Sequence, residues 1–202
     1  MEIKFKKDTI ELEKKVNIID KFVMGISKIL DKHFKYVIVS GYLPILFGKV
    51  RGTEDVDVLV KKVGPQKFKK FYEEIYKKNY QVINSHSVED AYDMLSKKIA
   101  LRISDKKHIV PNVELKFISD KIEMTTLKER LKVILNGNIF YISSIEMNIA
   151  FKIYLGSRKD IDDACHLYIL FKKLKRLDEK RLKEFCNLLG VEPKILEGCL
   201  NE

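Results

Sequence analysis

Short runs of apolar residues, bounded by polar segments, predict a series of strands in the first part of the chain. Each run has four to six residues, a length that is typical of strands and too short for most helices. A polar stretch over 105–111 predicts a loop between two of them. The predicted strands are 36–40, 55–60, 99–104, 112–117 and 139–142.

Apolar residues that recur every three or four positions predict amphipathic helices, which dominate the end of the chain. Pro44 places the start of a short helix near its own position, and Gly190 ends the helix that contains Asp178. The predicted helices are 9–33, 42–49, 64–79, 87–98, 125–135 and 143–155, followed by helices from 157 to the end of the chain.

The order of these elements predicts an α/β or α+β front half and a helical back half. Strands concentrate in residues 36–142, and the last sixty residues are nearly all helical in pattern. We therefore expect a sheet-containing domain over 1–142 and a helical C-terminal region over 143–202. The sequence has no low-complexity linker, so we expect the helical region to pack on the domain.

Composition indicates a folded, water-soluble protein. Hydrophobic residues make up 46% of the 202 residues, which is enough for a core. No apolar run approaches the roughly 20 residues that cross a bilayer, and the charged N-terminal segment does not resemble a secretory signal. We expect a cytoplasmic location and no membrane partner.

The net charge of +10 favours polyanionic partners such as RNA or nucleotides. A lysine-rich proteome, for example that of a thermophile, would give the same excess without any such partner. The cationic residues are spread along the chain with only short clusters, such as 172–176, so charge alone identifies no binding face.

The three cysteines, Cys165, Cys186 and Cys199, match no zinc-ligand spacing, and the four histidines are scattered. The cysteines lie in an apolar helical segment. We therefore expect buried free thiols and no disulfide framework.

Two aspartates stand at the start of the predicted strand 55–60. Side chains alternate along a strand, so Asp55 and Asp57 point to one face, with their attachment points roughly 6.5–7 Å apart. Two such carboxylates suit Mg²⁺, which takes one or two carboxylates together with phosphate oxygens of a substrate. The alternative is an ordinary solvated strand end.

The residues before the two aspartates favour the functional interpretation. Ser40 and Gly41 form a turn directly after a predicted strand, where backbone N–H groups can meet phosphate. Arg51 and Thr53 place a cation and a hydroxyl group close to the acids in sequence.

The segment VSGYLPILFGKVRGTEDVDVLV, residues 39–60, resembles the signature of the DNA polymerase β-like nucleotidyltransferase superfamily. That signature is a strand, a Gly-Gly or Gly-Ser turn, a short helix, and Asp-x-Asp on the next strand. The Arg-x-Thr-x-Asp-x-Asp form resembles minimal bacterial and archaeal members, including toxins of abortive-infection-type toxin–antitoxin systems. The order Ser40-Gly41-Tyr42 departs from the family turn. The resemblance implies a mixed β-sheet flanked by helices.

The resemblance also implies a third carboxylate on a neighbouring strand. Glu114, in the predicted strand 112–117, is the best candidate, although many members have Asp there. Glu114 is otherwise the polar face of a half-exposed strand. Asp105 and Asp120 are alternatives in predicted loops.

A second segment, residues 143–167, resembles the part that follows the catalytic domain in the toxin-like members. There the resemblance implies cationic groups that face the triphosphate, whereas helix capping and ion pairing would explain the same residues without a ligand. The matching residues are Glu146, Lys152, Arg158, Lys159, Asp160 and Asp163.

The resemblance implies a metal-dependent enzyme that moves a nucleoside monophosphate from a nucleoside triphosphate such as ATP to an RNA, a protein or a small molecule. Asp55, Asp57 and Glu114 would hold Mg²⁺ or Mn²⁺. The nucleotide-binding residues would be Ser40, Gly41, Arg51, Thr53, Lys152, Arg158, Lys159 and Asp160.

Two other interpretations stay open. The chain could be an inactive nucleotide- or RNA-binding module of the same fold, or an interaction protein such as a toxin silenced by an antitoxin. The net positive charge favours an RNA acceptor, for example tRNA.

Overall fold

A single mixed sheet of nine strands organises the part of the chain that the computed structural model describes, residues 1–200. The end of the predicted helical region, 201–202, lies outside the described residues. The strands are β1 (Glu2–Lys6), β2 (Thr9–Glu13), β3 (Tyr36–Ile38), β4 (Asp55–Val60), β5 (Tyr80–Val82), β6 (Leu101–Asp105), β7 (His108–Phe117), β8 (Leu131–Leu135) and β9 (Asn138–Ile142).

Eight α-helices and a 3-10 helix surround the sheet and form the C-terminal part of the described residues. They are α1 (Ile18–His33), α2 (Tyr42–Leu46), α3 (Pro65–Lys77), α4 (Val88–Ser96), α5 (Lys121–Lys128), α6 (Ile145–Leu155), α7 (Arg158–Lys173), α8 (Glu179–Leu189) and the 3-10 helix Pro193–Leu200.

The strand order is β1-β2-β8-β9-β3-β4-β7-β6-β5. The pairs β2–β8, β3–β9 and β4–β7 are parallel, and the other neighbouring pairs are antiparallel. The strands that carry the predicted acids, β4 and β7, are therefore neighbours near the middle of the sheet. This mixed sheet, followed by helices at the C-terminal end, confirms the predicted α+β class.

One large apolar cluster joins the sheet to the helices on it. It includes Val56 and Val58, which alternate with the two aspartates of β4, and it extends to Ile149 on α6 and Leu167 on α7. The apolar side of β4 thus anchors the strand rigidly while its polar side stays outside this core.

The predicted helix over 9–33 is wrong in its first part. Thr9–Glu13 is strand β2, in which Ile10 and Leu12 are buried and their neighbours are not. The helix begins only after Asn17, whose side chain accepts a hydrogen bond from the N–H of Asp20 while the Asp20 carboxylate accepts one from the N–H of Asn17. This capping box marks the true start of α1.

The predicted helix over 125–135 is also wrong in its second half. Helix α5 ends at Lys128, and Leu131–Leu135 is strand β8, which forms a hairpin with β9. The turn residues Asn136 and Gly137 have φ values of 46° and 81°. Two consecutive positive φ values give a turn that matches the twist of antiparallel strands.

Part of the predicted loop over 105–111 is a strand. Strand β7 begins at His108 and runs through Pro111, and its first residues pair with the end of β6 around a register shift at Ser104 and Asp105. The peptide bond Val110–Pro111 is cis.

The expectation of three free thiols is wrong. The 3-10 helix folds back on α7 and brings Cys199 beside Cys165, with their Cα atoms 5.5 Å apart, and the two form a disulfide. Cys186, on α8, is a buried free thiol as expected.

None of the helices in residues 1–200 combines the length and the apolar character that a membrane span requires.

Candidate active site

The parallel pairing of β4 and β7 brings the predicted acids together on one face of the sheet. Asp57 stands directly opposite Glu114, and Asp55 stands opposite Asn112. All three carboxylate side chains are partly buried, whereas the residues between them on both strands are buried in the core. The two alternative acids serve local backbone contacts: Asp105 accepts from the N–H of Lys107, and Asp120 caps α5.

Two cations lie among these acids. The ammonium group of Lys116 is 3.6 Å from an oxygen of Asp57 and 3.6 Å from an oxygen of Glu114. Arg102, on β6, donates from Nε and Nη2 to the other Glu114 oxygen, at 3.0 and 2.8 Å. Glu114 is therefore held by short hydrogen bonds, whereas the contact of Lys116 with Asp57 is long.

The environment of Asp57 disfavours its charged form. Burial raises the pKa of the Asp57 carboxyl above its ordinary value, and the charges of Asp55 and Glu114 act in the same direction. Lys116 and a hydrogen bond from the side chain of Ser40 oppose this rise without cancelling it. An added cation at this position would stabilise the Asp57 carboxylate.

The carboxylate oxygens of Asp55 and Asp57 are ligands of the type that a hard divalent cation prefers, but they do not form a complete metal site by themselves. Asp55 and Asp57 offer oxygen ligands on one face of a rigid strand, which is the set that Mg²⁺ takes when substrate phosphates complete its shell. Within residues 1–200, however, no three His, Cys, Asp or Glu side chains form a group that could hold a metal by themselves. Lys116 contacts Asp57 and Glu114 instead, and Arg102 holds Glu114.

The Ser40-Gly41 turn lies beside Asp57. Ser40 has a φ of 62°, a left-handed conformation that glycine adopts without strain and serine adopts at a cost of roughly 1–2 kcal/mol. The signature that residues 39–60 resemble has glycine first in this turn, and glycine adopts such a conformation freely. The side chain of Ser40 adds a hydrogen bond to Asp57.

Gly41 is required by the close approach of Arg51. Nη2 of Arg51 donates to the carbonyl oxygen of Gly41 at 2.8 Å. A Cβ atom at position 41 would lie 2.8 Å from that nitrogen, which is closer than real contacts allow. The absence of a side chain at position 41 therefore makes room for Arg51.

Arg51 belongs to a buried cluster of ions behind the turn. Asp163, on α7, is fully buried and accepts two hydrogen bonds from Arg51, at 3.0 and 2.8 Å. It also pairs with Lys49 at 3.0 Å and with Lys152 at 3.1 Å. This cluster joins the segment before β4 to helices α6 and α7.

Lys152 and Asp160, predicted to bind the nucleotide, pair with each other. Lys152 is 3% exposed, and its ammonium group donates to Asp160 at 2.6 Å. Burial acts to raise the pKa of Asp160, but hydrogen bonds from Lys152 and Ser157 outweigh it and hold this pKa below its ordinary value. The side chains of Lys152 and Asp160 are therefore used within the protein.

The other predicted nucleotide-binding residues differ in placement. The hydroxyl group of Thr53 donates to Asp55, at 3.1 Å to its backbone oxygen and 3.3 Å to its carboxylate, and so orients that acid. Arg158 and Lys159 are exposed at the start of α7.

Lys116 and three further residues that contact the site were not predicted as part of it. Lys49 pairs with Asp163, Arg102 binds Glu114, and Asn148 on α6 donates from Nδ2 to the carbonyl oxygen of Ser40 at 3.4 Å. Arg102 had a signal in the sequence, since alternation places it on the polar face of the strand beside Glu114. Lys49 and Asn148 had none, because their partners are far away in sequence.

A cavity of about 580 Å³ opens from this site. Ser40, Asp57 and Lys116 line it. Helices α5, α6 and α8 also line it, with apolar side chains such as Phe151 and Leu188 and with the acids Asp120 and Glu123 at the start of α5. Its volume lies in the range of small-molecule binding sites, roughly 300–1,000 Å³.

No family model and no curated protein matches the chain. Among solved structures, the chain is similar to an antigenic nucleotidyltransferase-like protein from Paracoccidioides brasiliensis. The two share 21% sequence identity with a TM-score of 0.52, over 90% of this chain and 91% of the other. The likeness at this identity concerns the fold, which is nucleotidyltransferase-like.

Proposed function

We propose that the protein is a metal-dependent nucleotidyltransferase that moves a nucleoside monophosphate from a nucleoside triphosphate to an acceptor hydroxyl group. The observation that carries the proposal is the register of β4 and β7, which sets Asp57 opposite Glu114 with Asp55 on the same face. This face lies beside the Ser40-Gly41 turn and opens into a cavity of suitable size. The nucleotidyltransferase-like fold supports the same reading.

In the proposed reaction, the acceptor oxygen attacks the α-phosphorus. A new O–P bond forms, the bond from the α-phosphorus to the oxygen that bridges it to the β-phosphate breaks, and pyrophosphate leaves with the electron pair. The acceptor proton passes to the Glu114 carboxylate. Mg²⁺ or Mn²⁺, held by Asp55 and Asp57, would neutralise the charge that develops on the phosphate oxygens.

The chain's own residues supply the positioning. Thr53 orients Asp55 through its hydroxyl group. Lys116 is 38% exposed and lies between Asp57 and Glu114, so it is free to turn towards the phosphates when a metal takes its place. Arg51 fixes the backbone of Gly41, and with it the turn that faces the phosphates.

Substitution of the aspartates by asparagine tests this proposal, because asparagine removes the charge and keeps the shape of the side chain. Asp55→Asn and Asp57→Asn would be incubated with each α-labelled triphosphate, Mg²⁺, and total RNA or protein. We expect transfer to fall by roughly a hundredfold or more, the scale of losing one group that stabilises transition-state charge. Glu54→Gln is the matched control, since Glu54 is adjacent and exposed.

Wild-type levels of transfer in both asparagine variants would rule out the assignment of these acids. Binding of triphosphate by the wild type without release of pyrophosphate would favour the second candidate, a nucleotide- or RNA-binding module without turnover. The specific observation in its favour is that Arg102 and Lys116 already neutralise Glu114. Such a module would bind triphosphate and release no pyrophosphate.

The acceptor, RNA, protein or small molecule, is proposed only as a class. The toxin role and an antitoxin partner remain predictions from the sequence resemblance.

A further inference from the structure

Glu114 stands in a row of three charged side chains that crosses the middle of the sheet. Strand β7 lies between β4 and β6, and the register sets Glu114 opposite Asp57 on one side and opposite Arg102 on the other. Directly opposed side chains on one face of a sheet are close enough to interact. The Glu114 carboxylate can therefore turn towards the aspartates of β4 or towards the cation of β6.

The structure shows one oxygen of this carboxylate bound by the cation of β6. Arg102 donates from both Nε and Nη2 to Oε1 of Glu114, at 3.0 and 2.8 Å. The other oxygen, Oε2, lies 3.6 Å from the ammonium group of Lys116. A guanidinium group presents its N–H donors in a rigid planar fork, so two bonds to the same carboxylate fix the orientation of Glu114.

This contact separates Glu114 from the two aspartates. In residues 1–200, no three acidic, histidine or cysteine side chains come together closely enough to hold a metal ion. A pair of catalytic metal ions lies about 3.5–4 Å apart and needs acids that reach both of them. With Oε1 bound by Arg102, Glu114 does not join the aspartates as the third acid of such a pair. Asp55 and Asp57 are then the protein ligands of one ion.

The balance of charge has the same consequence. Three carboxylates share the two cations Arg102 and Lys116, so the group has one net negative charge. One divalent ion at the aspartates reverses the sign of that charge, and the group then repels a second ion. Loss of Arg102 would add one negative charge and release an oxygen ligand at the same time.

We propose that Arg102 keeps Glu114 out of the metal site, so that the two aspartates of β4 hold a single divalent cation. The inference rests on the proposed function, in which these aspartates bind the metal. It leaves Oε2 of Glu114 to accept the proton of the acceptor hydroxyl group. Arg102 is a positioning residue in this scheme, because it acts on the metal site only through Glu114.

Electron paramagnetic resonance of Mn²⁺ tests the proposal, because two Mn²⁺ ions about 3.5–4 Å apart give a spin-coupled spectrum that a single ion cannot give. The protein would be mixed with Mn²⁺ and an equimolar mixture of the four α,β-methylene ribonucleoside triphosphates. In these compounds a carbon atom replaces the oxygen that leaves in the proposed reaction. Equilibrium dialysis in the same mixture counts the ions bound to each chain.

The proteins compared with the wild type are Arg102→Gln, Arg102→Lys and the double variant Arg102→Gln/Glu114→Gln. The side chain of Arg102 is 53% exposed, so its replacement should leave the fold intact. Lys107→Gln is the matched control, since it removes an exposed cation from the turn of the same hairpin.

We expect a single bound Mn²⁺ and no coupled spectrum in the wild type, in Arg102→Lys and in Lys107→Gln, because a cation stays at position 102 in all three. Arg102→Gln should bind a second Mn²⁺ and show the coupled spectrum. The double variant should return to a single ion, because it lacks the carboxylate that Arg102→Gln releases. A merely structural defect at position 102 would weaken metal binding and would not add an ion.

A coupled spectrum in the wild type would overturn the inference and leave the proposed function standing. A single bound ion in Arg102→Gln, or a second ion that persists in the double variant, would do the same. If the wild type binds no Mn²⁺ in this mixture, the proposed function itself is wrong, and the inference is wrong with it.

Discussion

Two groups of charged side chains meet at the Ser40-Gly41 turn, and they are built differently. The acids of β4 and β7 are partly buried, and the contact of Lys116 with Asp57 is 3.6 Å long. In the cluster behind the turn, Asp163 is fully buried, and its contacts to three cations are 2.8–3.1 Å long. The first group can exchange its partner, and the second cannot do so without leaving buried charge behind.

The difference separates the charges that are available to a ligand from those that hold the site in place. A buried ion pair is weak evidence of net stabilisation, but removal of one partner is costly because the other charge stays buried. The sequence resemblance assigns Asp55 and Asp57 of the first group, and Arg51 and Lys152 of the second, to the metal and the substrate. The contacts leave Asp55 and Asp57 available to a ligand, whereas Arg51, Lys152 and Asp163 pair with one another behind the turn.

The largest loss of stability is expected when the buried cluster behind the turn loses its central acid, Asp163. Asp163→Asn leaves three cations without their shared anion, and we expect the free energy of unfolding to fall by roughly 3–5 kcal/mol. Chemical denaturation measures this. Asp162→Asn, on the exposed side of the same helix, is the control and should change stability by less than about 0.5 kcal/mol. A similar small loss in both variants would show that the cluster does not support the fold.

A smaller loss is expected when the contact between the cluster and the turn is strained. In Gly41→Ala the new Cβ meets Nη2 of Arg51, which cannot move away without breaking its bonds to Asp163. We expect a loss of roughly 1–3 kcal/mol, as for other overpacked sites. Gly52→Ala is the matched control, because a Cβ there meets nothing within 4 Å. Equal unfolding midpoints for the two variants would contradict the close approach of Arg51.

The smallest change in stability, and the only stabilising one, is expected among the acids of β4 and β7. Because the pKa of Asp57 is raised in the folded state, the folded protein binds this proton more tightly than the unfolded chain, and its stability decreases as pH rises through the interval from the ordinary value of 3.8 to the raised one. Asp57→Asn has no such group. The variant should therefore gain stability over the wild type across that interval and keep a small advantage at neutral pH.

Denaturation curves of both proteins at several pH values measure this difference. With Mg²⁺ and a triphosphate present, the order should reverse, because the wild type alone gains the binding energy of the metal. A wild type that is more stable than Asp57→Asn at neutral pH without metal would show that Lys116 fully compensates the burial of Asp57.

The sequence was sufficient to predict the two strands that carry the acids, but not the register in which they pair. Alternation of Val56 and Val58 with the two acids predicts one polar face of β4, and the same pattern predicts the polar face of Glu114. That Asp57 stands opposite Glu114, and that Arg102 takes one of the Glu114 oxygens, depends on strand pairing across the sheet. A single sequence gives no measure of that pairing.

Some errors came from local signals that were present in the sequence. Asn136-Gly137 is a strong hairpin signal between two apolar runs, but the helical spacing of the preceding residues outweighed it. The alternation of Ile10 and Leu12 with polar residues indicates a strand, but the prediction included these residues in the helix over 9–33. The disulfide is a different case, because only the tertiary fold brings Cys165 and Cys199 together.

The parallel pairing of β2 with β8 also sets an order for folding during synthesis. Thr9 stands beside Lys132, so the N-terminal hairpin leaves the ribosome long before the strand on which it rests. Strands β3, β4 and β7 can assemble once residue 117 has emerged, whereas the hairpin waits for residue 135 with one edge unpaired. The half of the sheet that carries the acids is thus the first half that a nascent chain can complete.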